Sequence, residues 1–292
     1  MRQCSAMAGT LYIVSTPIGN LEDITQRALR ILREVDLIAC EDTRHTRKLL
    51  NHFGIDTRTI SYHEHNERER AEELCELLIS GKNIALVSDA GTPLISDPGF
   101  RLVSLAAERG FKTIPVPGVS AFVAALTASG LASDQVLFNG FLPARSAARR
   151  AKLETLRAIP ATLIFYEAPH RIAGTLGDAL EVLGNRDAAV ARELTKLHEE
   201  FVRGTLSELI ETFNAKDSRG ELVLLISGRQ KDQSLSAEDQ NSTAAALADL
   251  IRKFEREGDN TKTALKKAAR EIGLKRDEAY RIWESQKNRR SR

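Results

Sequence analysis

The chain is short of the features that usually announce a function, and each shortage excludes a class. Its three cysteines, Cys4, Cys40 and Cys75, are odd in number and have no metal-ligand spacing, which speaks against a disulfide framework. No stretch approaches the ~18 apolar residues of a membrane span, and the opening MRQCSAMAG has no apolar run long enough for a secretory signal. A soluble, cytoplasmic protein of a reducing compartment is therefore expected. There is no GxGxxG and no Walker-type loop, so a Rossmann dinucleotide site and a P-loop are both disfavoured. HExxH and Cys/His metal spacings are missing, so no metal is expected, and the GxSxG elbow is missing as well. A formal net charge of +2 decides nothing about nucleic acid; only the distribution of charge can.

What is present suits a multidomain α/β protein. Hydrophobic residues at 42% supply buried cores, and 292 residues exceed the usual single domain. Short β-branched runs at Leu11–Ser15, Leu37–Cys40, Ile84–Val87 and Thr113–Val116 alternate with segments of helical period. Leu21, Ile24, Ala28, Ile31 and Val35 predict a helix capped by Asn20, and Ala71, Leu74, Leu77 and Leu78 predict another over Glu67–Ser80. This order predicts a mainly parallel sheet covered on both sides. After Pro117-Gly118 the pattern restarts with a small-residue helix over Val119–Ser129. Strands come next at Val136–Asn139, Leu163–Tyr166, Ala188–Ala191, Phe201–Arg203 and Leu222–Ser227. The last two flank a single helix, which predicts a mixed second sheet. From Ser242 onward the signal is all helical, with two short helices about Gly273-Leu274 that resemble a helix–turn–helix unit. The expected domains are residues 9–120, 121–230 and 231–292.

Three turn-rich segments directly follow predicted strands, where open α/β sheets bind ligands. They are Ser15–Asn20, Ser88–Gly99 and Val116–Ala121. Gly19 and Gly91 allow close approach or positive φ, Asp89 can accept hydrogen bonds from a ligand, and the small Ser120 and Ala121 leave room for a flat group. Each alone is also an ordinary turn or cap; the second carries the densest signal.

Together the segments resemble the tetrapyrrole methylase-like, class III methyltransferases. Gly9–Asn20, Glu41-Asp42-Thr43-Arg44, Asp89–Pro93 with Ser96–Gly99, and Pro117–Ala121 carry the likeness. Tyr62–Glu67, Phe165–Arg171 and Ala191–Lys196 narrow it to the branch acting on small-subunit ribosomal RNA. The resemblance implies two α/β domains with S-adenosylmethionine in the cleft between them, and a homodimer. It places Pro17, Asp89, Gly91, Thr92, Ile95, Ser120, Ala121 and Leu142 at the cofactor. It further implies 2′-O-methylation of a cytidine in the decoding region of 16S rRNA. A tetrapyrrole acceptor on the same fold, or a non-catalytic ribosome assembly factor, are the competing readings.

A ribose hydroxyl must lose its proton as it attacks, so a base is expected. Glu41, Asp42, His63, His65, Glu167 and His170 are the candidates, with Glu41 and Glu167 foremost. Residues 251–292 hold 14 Lys and Arg against 7 Asp and Glu, a net of +7 in a chain of +2. That tail is the expected RNA contact, and Arg145, Arg149, Arg150 and Lys152 form a second basic run.

Overall fold

The computed structural model describes residues 8–215, 219–229, 237–272, 279–280 and 282–283. Residues 1–229 and 230–292 form two compact units.

The first half of the larger unit alternates strand and helix: β1 (Thr10–Val14), α1 (Gln26–Glu34), β2 (Leu37–Cys40), α2 (Thr43–His52), β3 (Thr59–Ser61), α3 (Glu67–Ile79), β4 (Ile84–Val87), α4 (Phe100–Glu108) and β5 (Lys112–Val116). All five strands run parallel in the order β3-β2-β4-β1-β5. β2 and β4 are buried at every position, as strands covered on both faces require. Leu29, Ile31, Leu32 and Leu50 cover one face, while Leu74, Leu78, Leu102 and Ala106 cover the other. Helix α1 starts later than its periodicity predicts. Asn20 caps only a single 3-10 turn, Leu21–Asp23; Ile24 and Thr25 are extended, and the Thr25 side chain accepts from Ala28 N–H to begin the helix.

The second half comprises α5 (Ala121–Ser129), β6 (Val136–Phe141), α6 (Ser146–Leu156), β7 (Thr162–Glu167), α7 (Ile172–Leu183), β8 (Asp187–Arg192), β9 (Glu200–Thr205), α8 (Leu206–Asn214) and β10 (Leu222–Ile226). Its sheet is mixed, in the order β6-β7-β10-β8-β9, with only β6 and β7 parallel. Helices α6, α7 and α8 cover one face through Leu153, Leu176 and Leu209. On the other face Ala125 of α5 packs with Ile164, Ala189 and Val223, and Ile18 and Leu194 join them. The loop after β1 is thus seated in the core of the second sheet.

The smaller unit has its own core. In α9 (Ala237–Arg256) and α10 (Thr261–Glu271), Leu247, Ile251, Ala264, Leu265 and Ala268 pack together, with Phe254 and Trp283 against them. Asn260 caps α10 by accepting from Thr263 N–H (2.9 Å). The expected turn at Gly273-Leu274 and most of the expected last helix lie outside the described residues.

Candidate active site

Strand order brings the three turn-rich segments together. β4, β1 and β5 are adjacent and parallel, so the loops leaving their carboxyl ends emerge side by side. They are stitched directly to one another. Thr16 N–H donates to Gly91 O (2.9 Å), Gly91 N–H donates to Thr16 O (3.1 Å), and Thr16 Oγ1 donates to Ser88 O (3.2 Å). Ser15 Oγ lies 3.0 Å from Thr92 Oγ1, which donates to Val119 O (3.0 Å). Gly118 must be glycine here, because a Cβ would stand 2.8 Å from Ser15 Cβ.

The second sheet closes the other side. The resulting cleft of about 370 Å³ is lined by Ile18, Gly91, Thr92, Ile95, Ser96, Asp97, Ser120 and Ala121 from the three loops, and by Phe141, Tyr166, Leu194 and Glu221 opposite them. That size is within the range of small-molecule sites. Its wall is mainly apolar, with few polar groups. Ser120 Oγ is buried without a hydrogen-bond partner at normal geometry, a group left for a ligand to satisfy. The loop after β8 latches the two halves. Asn20 N–H donates to Thr195 Oγ1 (3.0 Å), and a Cβ on Gly19 would meet Lys196 Cγ at 2.4 Å. Lys196 in turn pairs with Glu193 (2.9 Å) and Glu221 (3.1 Å). Glu193 and Thr195 take positive φ of 51° and 65° to make this loop.

Gly91, Thr92, Ile95, Ser120 and Ala121 of the expected cofactor set line the cleft, whereas Pro17, Asp89 and Leu142 do not. Pro17 precedes the lining residue Ile18. Asp89 sits at the loop's start, where Oδ1 accepts from Asp42 N–H (3.1 Å) and ties the loop after β2 to that after β4. The Leu142 side chain is buried in the core of the second sheet and its carbonyl accepts from Arg171 Nη2 (2.6 Å).

Of the six candidate bases only Glu167 borders the cleft, and its carboxylate is already engaged. Thr175 Oγ1 donates to Oε2 (2.6 Å), Ala168 N–H donates to Oε1 (2.9 Å), and Arg171 Nε lies 3.1 Å from Oε1. Glu41 is half-buried, and burial, then the charge of Asp89, push its carboxyl above the usual range. Asp42 pairs with exposed Arg44, whose hydrogen bonds hold it at about 2. His65 and His170 are exposed. His63 donates its backbone N–H to Asn66 Oδ1 (2.9 Å) in the turn before α3.

Sequence reasoning passes over Asp97, Tyr166 and Phe141 as lining groups. Asp97 lies within the Ser96–Gly99 motif but not among the candidate bases, since nothing local marks the second aspartate of one loop as the one that lines the cleft. The basic run after β6 is also mostly spoken for. Arg149 is buried against Asp178 (2.6 Å), and Arg150 pairs with Glu181.

Residues 10–210 match the family model of the tetrapyrrole (corrin/porphyrin) methylases. The chain is 46% identical over 275 residues to ribosomal RNA small subunit methyltransferase I of Halalkalibacterium halodurans, covering 94% of each chain. It is 50% identical to the protein of that name from Pseudomonas aeruginosa, covering 83% of this chain and 88% of the other. Among solved structures, the cobalamin biosynthetic enzyme cobalt precorrin-4 methyltransferase shares the fold. Its TM-score is 0.55 at 18% identity, over 75% of this chain and 94% of that one.

Proposed function

Because the chain belongs to the tetrapyrrole methylases, and within them to the ribosomal RNA small subunit methyltransferase I family, we propose that it methylates a cytidine ribose 2′-hydroxyl in the decoding region of 16S rRNA. The chain is a methyltransferase and S-adenosylmethionine is its methyl donor. The donor supplies a methyl group already activated on a sulfonium, so the protein has to align, dry and deprotonate. Its residues suit that task. Ile18, Ile95, Ala121 and Leu194 offer apolar surface to a flat base, Gly91 at φ 82° lets the backbone come close, and Ser120 Oγ awaits a partner. Pro17, Asp89 and Leu142 would act at one remove, shaping the loops that carry these groups.

The observation that carries the RNA reading is the degree of likeness. The chain is 46% and 50% identical to two proteins named ribosomal RNA small subunit methyltransferase I, against 18% to the precorrin enzyme, with which it shares the fold. The excess of Lys and Arg in the helical tail suits a phosphate-bearing acceptor.

Purified protein, small ribosomal subunits and methyl-labelled S-adenosylmethionine test this reading. Label should appear in 16S rRNA and, after digestion to nucleosides, in 2′-O-methylcytidine. Label in a base, or in an added porphyrinoid while subunits stay unlabelled, would refute it. A homodimer also suits the chain, since one copy leaves Phe100 76% exposed and Val123 45% exposed. Sedimentation should then give about twice the 32.3 kDa chain mass; a monomer would dismiss the dimer alone.

A further inference from the structure

The cleft holds a carboxylate, Asp97, that stands outside the expected cofactor set. Asp97 lines the cleft within the loop between β4 and α4, and that loop is built at some conformational cost. Leu94 and Ser96, neither of them glycine, adopt left-handed φ of 72° and 69°, and Gly99 adopts 140°. Strain of this kind persists only where the surroundings over-determine it, and it concentrates at functional sites. The surroundings here do so. On one side Gly140 leaves room for Ser96, whose Oγ would stand 3.1 Å from a Cβ at that position. On the other, Glu67 Oε1 accepts from Gly99 N–H (3.2 Å), Arg101 N–H (3.2 Å) and the Tyr62 hydroxyl (3.0 Å). The Tyr62 hydroxyl oxygen accepts from Leu102 N–H (3.2 Å). Asp97 is therefore presented by a loop fixed at both ends.

We infer that Asp97 is the base that receives the proton of the acceptor hydroxyl during methyl transfer, an inference that rests on the acceptor being a ribose 2′-hydroxyl. The hydroxyl oxygen bonds the methyl carbon as the carbon–sulfur bond breaks, its electron pair staying on sulfur. The proton passes to the Asp97 carboxylate and leaves from there to water. Elimination supports the choice. Glu41, Asp42 and Asp89 lie outside the cleft lining, Glu167 lines it but is engaged on both oxygens, and Glu221 lines it but pairs with Lys196. The ionisable groups facing Asp97 are Glu41 from the end of β2, Asp89 from the end of β4 and Tyr166 of β7. Burial raises its carboxyl to about 6; Ser88 pulls the other way by hydrogen bonding, and the charges of Glu41 and Asp89 add to the rise. A base poised there is mostly ionised at neutral pH and still holds a proton better than an ordinary aspartate.

Asp97→Asn tests this in the full chain with small subunits as acceptor. Single-turnover methylation should fall by about 10²–10⁴-fold, with the calorimetric dissociation constant for S-adenosylmethionine essentially unchanged. In wild type the rate should climb with pH through about 6 and then level, a limb missing from the residual activity of Asp97→Asn. Glu41→Gln removes a neighbouring like charge and should move that limb to lower pH while turnover persists. Near-normal turnover in Asp97→Asn, loss of cofactor binding in that variant, or an unmoved limb in Glu41→Gln would each overturn the assignment. If wild type leaves small subunits unlabelled, it is the substrate reading that fails.

Discussion

At the scale of single residues, two carboxylates on the cleft, half-buried Asp97 and buried Glu167, have opposite consequences for stability. An unfolded aspartate titrates near ~3.9, while Asp97 titrates at about 6 in the fold. Between those values the native state holds a proton that the unfolded chain has released. Stability from this group is therefore complete below the lower value and is lost as pH rises through the upper one. Asp97→Asn should melt above wild type at pH 8, by on the order of 1 kcal/mol, with the gap closing near pH 4. A variant that is both slower and more stable is the signature of a group kept for chemistry. Glu167 is the converse. Thr175, Ala168 and Arg171 all converge on its oxygens, so Glu167→Gln should cost about 1–3 kcal/mol of stability. Its turnover, measured well below its melting point, should stay close to wild type. A melting curve that Glu167→Gln leaves unmoved would show that these contacts are not structural.

At the scale of elements, the site depends on which strands are neighbours. The loops after β1, β4 and β5 are distant in sequence, and only the order β4-β1-β5 lets Ser15, Thr92 and Val119 form one chain of hydrogen bonds. Thr92→Val keeps the side chain's shape and removes both bonds. About 1–2 kcal/mol of stability should be lost, with a buried Ser15 hydroxyl left short of a partner. Calorimetry should also show weaker S-adenosylmethionine binding, and unchanged affinity would mean that the loops hold their places without this link. The three loops themselves are legible in the sequence, because buried parallel strands read as short apolar runs and glycine and proline mark the turns at their ends. Helix α2 is not legible. Only Thr46 and Leu50 of it are buried, so it carries almost no apolar stripe, and the three residues of β3 are only half-buried. The Tyr62–Glu67 motif stands out in the sequence without its purpose, which is to hold the N-terminus of α4 from a distance of some 35 residues. Contacts of that separation leave no periodic trace, and for the same reason the sequence does not mark Asp97 as a base.

At the scale of the whole molecule, charge is distributed unevenly, and the tail uses its charge differently from the larger unit. In the larger unit many cations are committed, such as Arg149 to Asp178, Arg192 to Glu200 and Lys196 to Glu193. In α10, Lys262, Lys266 and Arg270 fall four residues apart, so they share one face, and all three are exposed. Successive members of such a row stand about 6 Å apart along the helix, close enough to follow successive phosphates of one strand. The helix does not need them, since Ala264, Leu265, Ala268 and Ala269 make its buried face. Changing all three to Gln should therefore leave the melting temperature and S-adenosylmethionine binding as they are. Binding to small subunits should weaken, most of all at low salt. The plot of log affinity against log salt should flatten by roughly 0.7–0.9 for each phosphate contact removed, about two units for three. A slope that does not change would mean that the row is an ordinary solvated face, and that the positive charge of the tail reaches RNA through other residues or not at all.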